Sequence, residues 1–244
     1  MGDEARSEQR QRAFFDAIAK RYDNRFMRST WPRNQQLKAR VVSGELGAAA
    51  ATGPVAELGC GTAQVAAELL ALHPELRYVG LDLSPAMLEV GRARLVPFAD
   101  RTDLRSVTGE LPLEEESLAG AFGIDVLHHA ADPVAVLADL LRALRPGAPV
   151  VFLEGNPRFP LTALIALRPE ERGLFKIGIS SLRAWFEEAG LVDVTVEYGP
   201  LYTPPGPARL EPLLDAVDRG AARIPFVRGL AIFFTARGRR RTRD

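Results

Sequence analysis

The chain has 244 residues, 47% of them hydrophobic and 25% charged, which suits a soluble globular protein with room for a sizeable buried core in one generous α/β domain or two small ones. Lys+Arg and Asp+Glu both number 31, so the overall charge gives no reason to expect nucleic acid or a strongly acidic substrate as a partner. Cys60 is the only cysteine, the first residues carry no signal-like apolar core, and no apolar run approaches the roughly 20 residues needed to cross a bilayer, so the expected setting is cytoplasmic.

Residues 1–50 read as amphipathic helices outside the sheet-building pattern, expected to act as a lid. From Val55 onward short apolar strands alternate with helical patterns, the signature of a parallel sheet covered on both faces. The strands are expected at 54–58, 77–82, 103–107, 120–124 and 149–154, and the helices near 63–72, 85–95 and 133–144. Ser84-Pro85 is a good helix start and Arg145-Pro146-Gly147 a good stop. A helix at 180–189 ends at Gly190, and strands follow at 192–198 and 230–236. That tail is not another βα repeat and suits an antiparallel last strand inserted beside the others.

Two connections, 155–179 and the Pro-rich 200–228 with one helix around 210–222, are long enough to fold over a ligand beyond the carboxyl ends of the strands. Their apolar residues, including Phe159, Leu161, Leu164, Ile165, Leu167, Phe175, Leu201 and Tyr202, are expected to line an apolar acceptor pocket. Arg237, Arg239, Arg240, Arg241 and Arg243 form a basic tail over 237–244, which reads as a solvated end with at most a weak hold on an anionic membrane surface. No linker or repeat divides the chain, so a single domain over 1–244 is expected, with its core at 51–154.

The strongest local signal is the stretch from Val55 to Ala63. Gly59 and Gly61 permit a tight strand-to-helix turn with positive φ, and they leave the backbone open to a ligand at a helix N-terminus. Glu57 would repel a pyrophosphate there but attract the ammonium of an amino-acid moiety. Asp82, at the end of the second strand, can accept both hydroxyls of a ribose. Together these point to a nucleoside with a zwitterionic tail. A nicotinamide oxidoreductase fits less well, because Gln64 stands where the third glycine of GxGxxG belongs.

The order and spacing of ELGCGTA, GLDLSPAML, LHHAADP and LRALRPGAPVVFLEGNP resemble the class I S-adenosylmethionine-dependent methyltransferases over roughly residues 14–198. The resemblance implies a Rossmann-like seven-stranded sheet of order 3-2-1-4-5-7-6 with strand 7 antiparallel and helices on both faces. It further implies that S-adenosyl-L-methionine, or its product S-adenosyl-L-homocysteine, binds along Glu57, Leu58, Gly59, Cys60, Gly61 and Thr62. Asp82 would take the ribose, Leu83 and Met87 would pack on ribose and adenine, and Gly109 and Glu110 would lie near the adenine. The segment around Glu110 is shortened, and Ala63 replaces the usual third glycine. Phe14 to Asp23 is similar to the lid helix of the ubiquinone and menaquinone methyltransferases, in which Tyr22 would contact the methionine end. The same residues also read as one apolar helix face.

Methyl transfer needs in-line alignment, exclusion of water and, for some acceptors, removal of a proton. Candidates for the base are His128, His129 and Asp125, just past strand 4, and then Glu154 with Asn156 at the mouth of strand 5. Consecutive residues past a strand end point in different directions, so at most one of the two histidines is expected to face the acceptor. No His, Cys or carboxylate cluster shows ligand spacing along the chain, so no metal is expected. The expected partner is a small, lipophilic or aromatic acceptor, and the expected state is a monomer or homodimer. The alternative is a non-catalytic S-adenosylmethionine-binding protein on the same fold.

Overall fold

The computed structural model describes residues 3–23, 31–199 and 223–243, with residues 213, 216 and 220. Its strands are β1 (Pro54–Leu58), β2 (Arg77–Asp82), β3 (Thr102–Ser106), β4 (Gly120–Ile124), β5 (Pro149–Gly155), β6 (Leu191–Tyr198) and β7 (Phe233–Arg240). They form one sheet in the order β3-β2-β1-β4-β5-β7-β6, with β7 antiparallel to both β5 and β6 and the other pairs parallel. The fold class and strand order are those expected from the sequence.

Among the described residues, the α-helices of six residues or more are α1 (Asp3–Ile18), α2 (Trp31–Leu46), α3 (Gln64–Leu72), α4 (Pro85–Arg94), α5 (Pro133–Ala143), α6 (Pro160–Ile165) and α7 (Ile179–Glu188). Local chemistry sets their starts. Ser84 Oγ accepts the Met87 N–H at the start of α4, and Asp132 Oδ1 accepts the Ala135 N–H at the start of α5, each with proline in the first turn. Alternation along the strands then divides the core between the two sheet faces. Ala56, Leu58, Ala121 and Phe152 pack toward α5 and α7, and Val55, Tyr78, Phe122 and Val151 pack toward α2 and α3.

Three expectations change. Helix α2 is a layer of the fold rather than a lid: Ala39, Val42 and Leu46 form a buried stripe against α3 and the sheet, although its Lys38 reaches Asp125 at the ligand end, where α1 and the following turn also lie. The last strand runs four residues past 236, so Arg237, Arg239 and Arg240 belong to the sheet rather than to a free tail. Arg237 pairs with Glu45 at 2.6 Å and Glu197 at 3.0 Å, and Arg240 and Arg243 both reach Glu116. The 155–179 connection carries α6 and a 3-10 helix at Pro169–Lys176. Its Leu161, Leu164, Leu167 and Phe175 face solvent, against the expectation that they line the pocket. The 200–228 connection lies mostly outside the described residues. Among the described residues, no helix is long and apolar enough to cross a membrane.

Candidate active site

The carboxyl ends of β1, β2 and β4 open into a cavity of about 640 Å³, within the usual range for small-molecule sites. One end is built by the first strand-helix turn. Gly59, at φ 68°, has no room for a side chain, because a Cβ there would meet Val126 Cγ2 at 2.5 Å. Gly61, at φ 52°, faces open space. Its N–H donates to Asp82 Oδ2 at 2.7 Å, and the Ser84 N–H donates to Oδ1 at 2.9 Å. Burial raises the Asp82 pKa against the pull of these two amides. Leu58, Gly59, Gly61, Asp82, Leu83, Met87, Gly109 and Glu110 all lie on this part of the wall.

The other residues of the motif stand behind it. Glu57 is buried and accepts the Tyr78 hydroxyl at 2.5 Å; burial raises its pKa to about 8, with the Tyr78 bond acting in the opposite direction. Cys60 is buried in the core beside the loop. Thr62 donates to Asp23 Oδ1 at 2.9 Å. Ala63 takes the left-handed conformation, φ 56°, at the start of α3, where the sequence lacks the usual glycine.

Helix α1 and its turn close this end through two aspartates that sequence reasoning missed. Asp16 accepts the Ser84 hydroxyl at 2.5 Å and the Ala86 N–H at 3.3 Å. Asp23 also receives Gln64 and Arg94. Tyr22 and Phe15 are thereby held on the cavity wall, and Phe15 packs edge-on against the His129 ring at 5.3 Å.

The wall just past β4 is polar. Asp125 stands at φ 51° just past β4, and its carboxylate accepts Lys38 Nζ of α2 at 2.5 Å. Burial acts to raise the Asp125 pKa, but Lys38 outweighs it and holds the carboxyl below its ordinary value. Residues Leu127–His129 form a 3-10 turn, so the two imidazoles do not diverge as they would along a strand. Their ring centres lie 3.9 Å apart and both reach the cavity wall, against the expectation for consecutive residues.

Glu154 lies beneath that turn rather than in the wall. Its Oε1 accepts the Val126 and Leu127 N–H groups at 2.9 and 2.6 Å, and its Oε2 lies 2.7 Å from His128 Nδ1. Asn156 is likewise turned away, donating to the Gly229 and Ala231 carbonyls. His128 Nε2 lies 3.3 Å from Glu171 Oε2, and His129 Nε2 lies 3.8 Å from the same oxygen. Burial pushes the His128 pKa down, but the Glu154 charge and hydrogen bond, with the Glu171 bond, bring it up to about 10. His129 is held well below its ordinary value by burial and by the neighbouring His128 charge. Glu171 was invisible in the sequence because it comes from the insertion, 43 residues beyond His128. It also brings together groups that showed no ligand spacing along the chain: His128, His129 and Glu171 each offer an atom within 4.8 Å of the others.

The methyltransferase-domain family matches residues 56–150. Over 167 residues, 67% of this chain and 69% of the relative, the sequence is 33% identical to a ubiquinone/menaquinone biosynthesis C-methyltransferase of Syntrophotalea carbinolica. The chain belongs to the class I S-adenosylmethionine-dependent methyltransferases. A ubiquinone biosynthesis O-methyltransferase of Pseudomonas putida is 29% identical over 198 residues, covering 73% of this chain and 81% of that one. The fold is shared with an S-adenosylmethionine-dependent methyltransferase of Thermotoga maritima, described as a possible histamine N-methyltransferase, at a TM-score of 0.65 and 18% identity over 94% of this chain and 99% of that one. This methyltransferase therefore uses S-adenosylmethionine as its methyl donor, and the cavity at the carboxyl ends of its strands is the candidate place for the reaction.

Proposed function

We propose that the enzyme transfers a methyl group to a small, lipophilic or aromatic acceptor, with donor and acceptor sharing the one cavity. The observation that carries this reading is the wall itself, which runs from Gly61 and Asp82 to Asp125, His129 and Glu171 without interruption. The cofactor supplies an electrophilic sulfonium methyl. At the Gly61 end, open backbone and the Asp82 carboxylate support a nucleoside, with Leu83 and Met87 against ribose and adenine and Gly109 and Glu110 near the adenine edge. Tyr22 and Leu58 support the methionine portion, whereas Glu57, Cys60 and Thr62 act from behind, by holding the loop.

At the polar end His129 and Asp125 are the groups we assign to orient the acceptor and receive its proton. His128 is committed to two carboxylates, and Glu154 positions it. Alignment in such a site is worth about 7–11 kcal/mol, and a base adds about a hundred- to ten-thousand-fold. The lipophilic acceptor is supported by the apolar side chains around the polar patch, Leu111, Ile124, Val126 and Leu127 among them, and by the quinone pathways named for the two relatives. It is no longer supported by the insertion, whose leucines face out. We further take the chain as a single cytoplasmic domain, monomeric or homodimeric. Incubation with methyl-labelled cofactor and a panel of lipophilic phenols, quinols and polyketides tests the reading: label should pass to one of these classes, and transfer only to polar amines or to none would overturn it.

A further inference from the structure

We propose that His128, His129 and Glu171 form a binding site for a divalent transition metal of the zinc class at the acceptor end of the cavity, with Glu154 as the group that orients His128. One ring nitrogen of each histidine and a carboxylate oxygen of Glu171 lie within 4.8 Å of one another. Tetrahedral ligands at about 2.0–2.2 Å from zinc are about 3.4 Å apart, and His128 Nε2 already lies 3.3 Å from Glu171 Oε2 and His129 Nε2 3.8 Å from it. Convergence of the His129 ring from within the 4.8 Å limit completes the set.

The surroundings are those of a metal ligand. A ligating histidine usually donates its second ring N–H to a carboxylate, which fixes the tautomer and turns the other lone pair to the ion. Glu154 Oε2, fully buried and 2.7 Å from His128 Nδ1, is placed to accept that proton and leave Nε2 facing Glu171. Oε1 of the same carboxylate is fixed by two backbone amides, so the orienting group is itself rigid. Two imidazoles and one carboxylate suit zinc, cobalt or iron better than magnesium, which prefers oxygen ligands.

Three protein ligands leave a position open, and all three residues lie on the cavity wall. The site therefore presents an ion to the acceptor, and this part of the inference rests on the function proposed above. With the ion bound His129 is a ligand rather than the base assigned above, and a phenol or enol oxygen at the open position gives its proton to water. The acceptor oxygen, or the carbon conjugated to it, then forms a bond to the methyl carbon while the S–C bond breaks and its electron pair stays on sulfur, leaving the neutral thioether.

The test uses the full chain, stripped with a chelator and titrated with Co²⁺, whose absorption reports its ligands, and with Zn²⁺ in competition. We expect one Co²⁺ per chain, displaced by Zn²⁺ but not by Mg²⁺, with visible bands of mixed nitrogen and oxygen ligation. His129→Gln and Glu171→Gln should each weaken binding at least tenfold, and Glu154→Gln by about ten- to a hundredfold. Binding of S-adenosylhomocysteine, measured on every variant, verifies folding and reports the cofactor site separately. No Co²⁺ binding by wild type that binds S-adenosylhomocysteine, bands of all-oxygen ligation, or unchanged affinity in the folded variants would overturn the site. Metal binding without any metal effect on methyl transfer would overturn its role toward the acceptor and leave the site standing.

Discussion

Glu154 Oε2 and His128 Nδ1 lie 2.7 Å apart, both side chains buried, His128 in the turn that follows β4 and Glu154 beneath it. Because Glu154 also takes two backbone amides of that turn, one carboxylate from β5 fixes both the path of the chain and the ring at the cavity wall. Glu154→Gln keeps the shape but turns an amide toward Nδ1. Loss of a hydrogen bond in a buried polar network should lower stability by about 1–3 kcal/mol, measured by denaturant unfolding, and turnover should fall more than acceptor KM changes. Full activity in the glutamine variant would remove Glu154 from the account.

Gly173 sets how closely the insertion approaches the same turn. A Cβ there would lie 1.7 Å from the His128 carbonyl oxygen, so Gly173→Ala must push away the 3-10 helix that carries Glu171. Overpacking of this kind costs about 1–3 kcal/mol. The expected result is a lower melting temperature with a loss of turnover larger than any loss of S-adenosylhomocysteine affinity, since the Gly61 and Asp82 end is untouched.

Asp82 ties the end of β2 to the loop after β1 by accepting the Gly61 and Ser84 amides. Asp82→Ala removes those contacts and the proposed ribose partner together. Affinity for S-adenosylhomocysteine should drop by about 1–3 kcal/mol in calorimetry, and Asp82→Asn should lose less.

Glu57 predicts a dependence on pH. Its pKa is raised by burial to about 8, against an ordinary 4.5, so the cofactor-free folded chain holds a proton on it that the unfolded chain releases between those values. The stability it contributes is complete below 4.5 and is lost as pH rises through about 8. Subtracting the melting temperatures of Glu57→Gln from those of wild type across this window should leave a falling difference; a flat one would mean that Glu57 is already ionised in the folded protein.

The sheet was legible because its signals are local. Alternating apolar strands, the Ser84 cap and the Arg145-Pro146-Gly147 stop each act within a few residues, and the strand bounds up to β5 differ from expectation by at most one residue. What escaped depends on distant partners. The arginines of β7 read as a solvated end until Glu45, Glu197 and Glu116 stand beside them. Likewise α2 carries a short apolar stripe that says nothing of its place against α3, and its Lys38 acquires meaning only beside Asp125, 87 residues away. The loop after β1 was readable as a contiguous motif, whereas Glu171 reaches the histidines only through the fold. The outward leucines of the insertion show that composition alone does not tell which face a short helix turns inward.

A crystal structure with S-adenosylhomocysteine tests most directly the claim that one cavity holds both partners. The account predicts the ribose hydroxyls on the Asp82 carboxylate, the adenine between Leu83, Met87 and the Gly109-Glu110 segment, and the sulfur directed toward Asp125 and His129. A ligand bound outside this cavity, or one whose sulfur faces away from the Asp125, His129 and Glu171 wall, would contradict it.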